Sequence, residues 1–113
     1  MEPARTVSQL RRGALEYCVL ALMRDEPRYA YDLVTALGHH HALVTSEGTI
    51  YPLLSRLRRD GLVLIEDRES TTGPPRRYYR LSRAGARALE TFTSEWVDFR
   101  SAVDSLIDPR RTP

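Results

Sequence analysis

Between Ile50 and Leu57 the apolar residues fall at Ile50, Leu53, Leu54 and Leu57. At 3.6 residues per turn this spacing gathers them within about a third of a helix circumference. Gly48, Pro52, Ser55 and Arg59 take the opposite side, with Tyr51, Arg56 and Arg58 at the margins. A helix over about residues 46–60 is therefore predicted, N-capped by Thr45 or Ser46 and closed by Asp60-Gly61. Pro52 is accommodated in a long, slightly bent helix rather than starting a shorter one. The outer face is nearly flat at one end and cationic at the other. Bulk near the N-terminus of a helix would block its approach to base edges, so this shape suits entry into the DNA major groove. An ordinary packing helix with a solvated basic face is the plainer alternative.

The same reading of pattern organises the rest of the chain. Residues from about 7 to 24 predict an N-terminal helix, almost wholly apolar in its second half (Leu15, Tyr17, Cys18, Val19, Leu20, Leu22, Met23). Asp25-Glu26-Pro27 ends it, because a residue before proline is pushed out of the α region. A second short helix over Arg28 to Leu37 is stopped by Gly38 in the position after the cap, and a loop holding His39, His40 and His41 leads to the third helix. Two short helices joined by a tight link are a helix-turn-helix pattern. Leu62 to Glu69 then reads as a strand, Thr71 to Pro75 as a loop, and Arg76 to Leu81 as a return strand. Alternation sends Tyr79 and Leu81 to one face of that strand, and Arg76, Tyr78 and Arg80 to the other. The expected fold class is mainly α with a small β-hairpin: a winged helix-turn-helix over residues 7–82, with the wing at about 62–81.

Ser82 caps a last helix over residues 83–108, whose apolar positions Leu89, Phe92, Trp96, Phe99, Val103 and Leu106 recur at alternating intervals of three and four. That is a heptad seam of about 27 Å, narrower than the stripe of a helix laid on a globular core. A second copy of the chain is the simplest partner for this seam, assisted by Leu15 of the apolar first helix. The tail, residues 109–113, is expected to be disordered.

Charge sharpens this picture. The net charge of the 113 residues is only +2, but residues 1–88 carry +4 and residues 89–113 carry −2. All seventeen cationic side chains are arginine, and Arg56, Arg58, Arg59, Arg68, Arg76, Arg77 and Arg80 cluster in one window. Such clustering is the electrostatic footprint of a phosphate-binding surface. The lone Cys18 sits in an apolar run, cannot form an intrachain disulfide, and reads as a small core residue in a reducing compartment. Arg11-Arg12 before an apolar run superficially imitates a leader, but Glu16 interrupts the run and no cleavage pattern follows. A cytoplasmic protein with no membrane partner is expected.

With these residues in hand, the chain resembles the PadR family of transcriptional regulators, in its short subgroup with one C-terminal helix. The likeness is carried by Tyr31-Asp32-Leu33, by Ser46-Glu-Gly-Thr-Ile-Tyr-Pro52 and Leu57-Arg-Arg-Asp-Gly-Leu62, and by Gly73-Pro-Pro-Arg-Arg-Tyr-Tyr-Arg-Leu-Ser82 followed by Ala84-Gly85. One departure is Ala30, where a glycine usually precedes the tyrosine. The resemblance implies a homodimeric repressor of a pseudo-palindromic operator in double-stranded DNA. It places Tyr31, Ser46, Gly48, Thr49, Tyr51, Pro52 and Ser55 at the groove, with Arg76 and Arg77 on the wing. Arg56 and Arg59 meet phosphate or guanine. Many relatives release DNA when a planar or phenolic compound binds near the dimer interface. In this chain paired Trp96 indoles near a two-fold axis would leave a slot for a flat apolar molecule, with Tyr17, Phe92, Phe99 and Arg100 as further candidate ligand residues and Asp98 as a second polar group; plain interface packing is the competing reading. Leu15, Leu89, Phe92, Trp96, Phe99, Val103 and Leu106 would form the dimer contact.

No cofactor and no enzyme activity are expected: no serine or cysteine has a placed histidine, and no glycine-rich phosphate loop exists. Three consecutive histidines converge poorly on one ion, so a metal-responsive repressor is a minor alternative. The alternative from another class is a winged-helix protein-docking module whose basic face is incidental.

Overall fold

Val19, Leu20, Leu33, Leu37, Ile50, Leu54, Leu57 and Val63 are fully buried together, and every one comes from a segment with a helical or strand-like apolar pattern. The computed structural model describes residues 3–70, 73–108 and 110. In chain order the elements are α1 (Pro3–Arg11), α2 (Leu15–Leu22), α3 (Ala30–Gly38), a single 3₁₀ turn (His41–Leu43), α4 (Glu47–Arg59), β1 (Val63–Ser70), β2 (Gly73–Leu81) and α5 (Arg83–Ile107). Helices α2, α3 and α4 enclose the core, and the antiparallel β1–β2 ribbon extends from it. A two-way backbone pair between Arg28 and Tyr79, at 2.9 and 2.7 Å, adds a short third strand segment. This is a winged helix-turn-helix.

Four local expectations need correction. The N-terminal helix is two helices, because Gly13 adopts φ +85° and turns the chain between α1 and α2. That conformation costs a side-chain-bearing residue energy but costs glycine little. Gly38 does not take the left-handed position after the cap; it ends α3, and His39 continues at φ −74°. Short backbone bonds from His39 to Ala36 (3.3 Å) and from His40 to Leu37 (3.0 Å) tighten the exit instead. Pro74 and Pro75 lie within β2 rather than in a loop, which a two-stranded ribbon tolerates because both strands are edges. Leu89 is not part of an outward seam: it is 5% exposed and belongs to the protomer's own core. The expected tail lies outside the described residues except Arg110, whose backbone and guanidinium both donate to Asp108 at 3.2 Å.

Leu89 is drawn inward by how α5 starts. The Ser82 hydroxyl donates to the Gly61 carbonyl at 2.7 Å and accepts from the Gly85 N–H at 2.9 Å. The Ser82 N–H donates to the Leu62 carbonyl at 3.1 Å. Gly85 is buried against the same carbonyl, so a Cβ there would collide with main chain as well as approach Leu81 Cδ1 at 2.9 Å. The first turns of α5 consequently press on α2 and β2, and the helix turns outward only beyond Phe92.

Backbone cannot yield as a flexible side chain can. Gly85→Ala should therefore lower stability by about 3 kcal/mol, the upper part of the usual overpacking range. Urea unfolding with an unchanged slope but a lower midpoint would register this loss.

Candidate nucleic-acid interface

Helix α4 turns Ile50, Leu53, Leu54 and Leu57 inward and leaves Gly48, Thr49, Tyr51, Pro52, Ser55, Arg56, Arg58 and Arg59 exposed, as its period predicts. It starts at Glu47, so Pro52 lies inside the helix and gives no N–H to the Gly48 carbonyl. Ser46 occupies the cap position, but its hydroxyl is directed to Thr49 Oγ1 at 3.4 Å rather than capping the helix. The Glu47 and Gly48 N–H groups thus open the helix without a side-chain cap, while the Thr49 N–H donates to the Ser46 carbonyl at 3.1 Å. Such a terminus carries partial positive charge and favours anionic groups.

The wing stands beside this face. Its register pairs Arg68 with Arg76 and Asp67 with Arg77, and Arg77 reaches Asp67 at 3.6 Å. Tyr79 is buried and Leu81 half-buried, and Arg76 and Arg80 are exposed as the alternation predicts; Tyr78, expected outside with them, is instead half-buried because it packs edge-on against Tyr29. Tyr29, Ala30, Tyr51, Arg76, Arg77 and Tyr79 line a cleft of about 250 Å³ between β2, the start of α3 and α4. Ala30 is buried where it lines this cleft. Tyr31 is 60% exposed on the outer side of α3, its ring stacked 6.3 Å from Tyr29.

Not every expected residue joins this surface on equal terms. Arg56 is tied back to Glu16 of α2 at 3.1 Å, leaving Arg58 and Arg59 as the cations of α4 for which no carboxylate partner is described. The sequence pattern does not reveal that pairing, since the two residues are 40 positions apart. Tyr29 was also missed, although it touches Tyr31, Tyr78 and Arg76. On the opposite side, Arg11 of α1 donates to the Val44 carbonyl and so fastens α1 to the segment entering α4.

A second region lies along α5. Tyr17 stacks on Phe92 with ring centres 4.2 Å apart and planes 6° from parallel. The stack continues through Trp96 at 5.7 Å and Phe99 at 6.2 Å. Beside it runs a groove of about 670 Å³ lined by Gln9, Leu10, Arg12, Gly13, Ala14, Phe92, Glu95, Trp96, Asp98 and Phe99. Phe92, Trp96 and Phe99 from the expected ligand set line this groove; Tyr17 backs Phe92 from behind, and Arg100 is not among its walls. Leu15 is half-buried against the protomer's core. Burial pushes the Cys18 thiol up from its ordinary pKa, holding it in the unreactive protonated form near neutrality. His39, His40 and His41 are all exposed. No helix among the described residues is long and apolar enough to cross a membrane.

Residues 19–91 match the transcriptional regulator PadR-like family. The chain belongs to that family. It is similar to a PadR-like transcription factor from Bacteroides fragilis, with 41% identity, a TM-score of 0.75, and coverage of 90% of this chain and 98% of that one. A PadR family transcriptional regulator from Eggerthella lenta superposes with a TM-score of 0.82 at 34% identity, covering 93% and 91% of the two chains. The Mycobacterium tuberculosis transcriptional regulator Rv3488 is 37% identical over 81 residues, 72% of this chain and 74% of its own length. This PadR chain is accordingly a DNA-binding transcriptional regulator with a winged helix-turn-helix.

Gly48 offers a way to separate fold from recognition. A Cβ there would meet only the Ser46 hydroxyl, at an ordinary 3.6 Å, so Gly48→Ala fits the free protein. Replacing glycine within a helix should leave stability unchanged or raise it by up to about 1 kcal/mol. Affinity for duplex DNA should nevertheless fall, because the added methyl stands on the exposed side of α4 that the sequence pattern assigns to the major groove. Parallel thermal melts and anisotropy titrations check both halves.

Proposed function

We propose that this PadR chain is a homodimeric repressor of a pseudo-palindromic operator, acting in the cytoplasm and released by a flat apolar effector. It works by binding and performs no catalysis. One observation supports the reading most: the exposed side of α4 is small at Gly48, Thr49, Pro52 and Ser55, with Tyr51 at its margin, cationic at Arg58 and Arg59, and flanked by the arginines of β2. Ser46, Gly48, Thr49, Tyr51, Pro52 and Ser55 face the bases, and Tyr31 stands at the edge of the groove. Arg59, Arg76 and Arg77 neutralise phosphates, and Arg56 does so from its tether on Glu16.

The dimer follows from α5. Trp96 is 39% exposed, Phe99 63%, Val103 38% and Leu106 83%, forming an apolar row on a helix of 25 residues. Water-exposed apolar rows of this length favour association, and their three–four spacing suits a second identical helix. Phe92 begins the row, Leu10 of α1 borders it, and Leu15 contributes only from behind. Two reading helices held about 34 Å apart would meet half-sites one DNA turn apart. A planar compound inserted along Phe92, Trp96 and Phe99 would alter that spacing, with differential affinity for the two arrangements providing the response.

Binding to DNA should show a steep negative dependence of log affinity on log salt, about −0.9 per phosphate neutralised. Arg59→Ala should flatten that slope by about one if the residue contacts phosphate, and instead relax a single operator position if it reads a base. Selection from a random duplex pool supplies the operator for both tests. A flat slope would leave only a protein-docking role.

Placing Asp at Leu106 should shift the sedimenting species from dimer to monomer and weaken operator binding in the same protein. At a protein concentration where the variant still occupies the operator, Trp96→Ala should abolish operator release by planar aromatic compounds. Unaltered release in that variant would remove the effector slot from the groove.

A further inference from the structure

The register of the wing creates an electrostatic problem that the structure solves in a particular way. Arg68 and Arg76 are direct cross-strand partners, where like charges repel. Arg68 donates to Glu66 at 2.7 Å and its guanidinium carbon lies 4.5 Å from the centre of the Tyr78 ring. Arg76 lies on a different ring, with its guanidinium carbon 4.9 Å from the centre of the Tyr29 ring. Tyr29 is itself immobilised: its ring meets Tyr78 edge-on at 5.4 Å, and its N–H donates to the Asp32 carboxylate at 3.4 Å. The preceding residue, Arg28, makes the backbone pair with Tyr79.

We infer that Tyr29 is a positioning residue that holds Arg76 extended from the wing, ready to meet a DNA phosphate. This rests on the reading of β2 as a DNA-facing wing. A guanidinium can lay its flat face on an aromatic ring while its N–H edge stays free to bond phosphate oxygens. Arginine loses considerable rotamer freedom when it binds, and a side chain ordered beforehand loses less. The Tyr29 ring supplies the holding force; its hydroxyl is not required.

A double-mutant cycle on the full chain tests this, with a mixed-sequence duplex as the probe at two salt concentrations. Arg76→Ala should weaken binding severalfold and flatten the salt slope by about one. Tyr29→Leu should weaken it about two- to fivefold, the range a cation–π contact supplies, and Tyr29→Phe should retain wild-type affinity. In the Arg76→Ala background, Tyr29→Leu should cost nothing further. Equal losses in both backgrounds would make Tyr29 merely structural and overturn the inference. The unmutated protein provides an independent reading, since the Arg76 side-chain protons should resonate upfield from the ring current. Unshifted protons would also overturn it. An unchanged salt slope for Arg76→Ala, with duplex binding intact, would remove the wing from the DNA and the inference with it. Absence of duplex binding by the wild-type chain would instead overturn the proposed function.

Discussion

The hydroxyl of Ser82 accepts from Gly85 and donates to Gly61, and the geometry of this PadR chain depends on that corner. Gly61 closes the reading helix, at φ +77°, and Ser82 closes the wing and opens α5. Three elements that must act together are thereby joined through one side chain and one close backbone approach at Gly85. An N-cap bond contributes about 1 kcal/mol to stability. Its larger effect is directional: it sets the angle at which α5 leaves the wing, with Gly85 so close to the Leu62 carbonyl that a Cβ would collide with it. That angle settles which α5 residues reach outward and therefore where α4 stands relative to any surface built on Trp96 and Phe99. Leu89, with its spacing on the same row, falls inside the hinge point and goes to the core instead.

Much of the fold was legible because periodicity is a local property. The inward set of α4 and the alternation of β2 follow from residue spacing alone, and both survive in the structure except at Tyr78, which Tyr29 covers. Gly13 escaped the same treatment because a glycine in an apolar run changes no period; only the backbone reveals that it takes the left-handed conformation. Pro74 and Pro75 were assigned to a loop on the rule for central strands, which has no force in a two-stranded ribbon. The seam on α5 was readable, but its inner limit was not. That limit is set by Gly85 meeting Leu62, a contact between segments with no pattern in common.

The candidate interface divides along the same line. Small residues at the start of α4 and arginines along β2 can be read directly from the chain. Partnerships such as Glu16 with Arg56, or Tyr29 with Arg76, arise only when distant segments meet. These contacts bear on function because they decide which cations are already engaged. Arg77 and Arg68 have carboxylates on β1, at 3.6 and 2.7 Å. The charge count of the window therefore overstates what is free for phosphate.

Magnitudes also decide how a signal along α5 would travel. Adjacent residues of α2 look in two directions: Glu16 holds Arg56 of the reading helix, and Tyr17 stacks on Phe92 of α5. A solvent-exposed ion pair contributes about 0–1 kcal/mol and weakens in salt. A stacked aromatic pair contributes about 0.5–1.5 kcal/mol beyond its buried area, and α2 further anchors itself through Val19 and Leu20 in the core. The core and the stack dominate, so α2, α4 and the start of α5 move as one body. In the proposed dimer, an effector along Trp96 and Phe99 then has little freedom to bend the reading head within a protomer. It acts where apolar surface remains uncommitted, on the outer length of α5, and so changes the relation between two rigid heads.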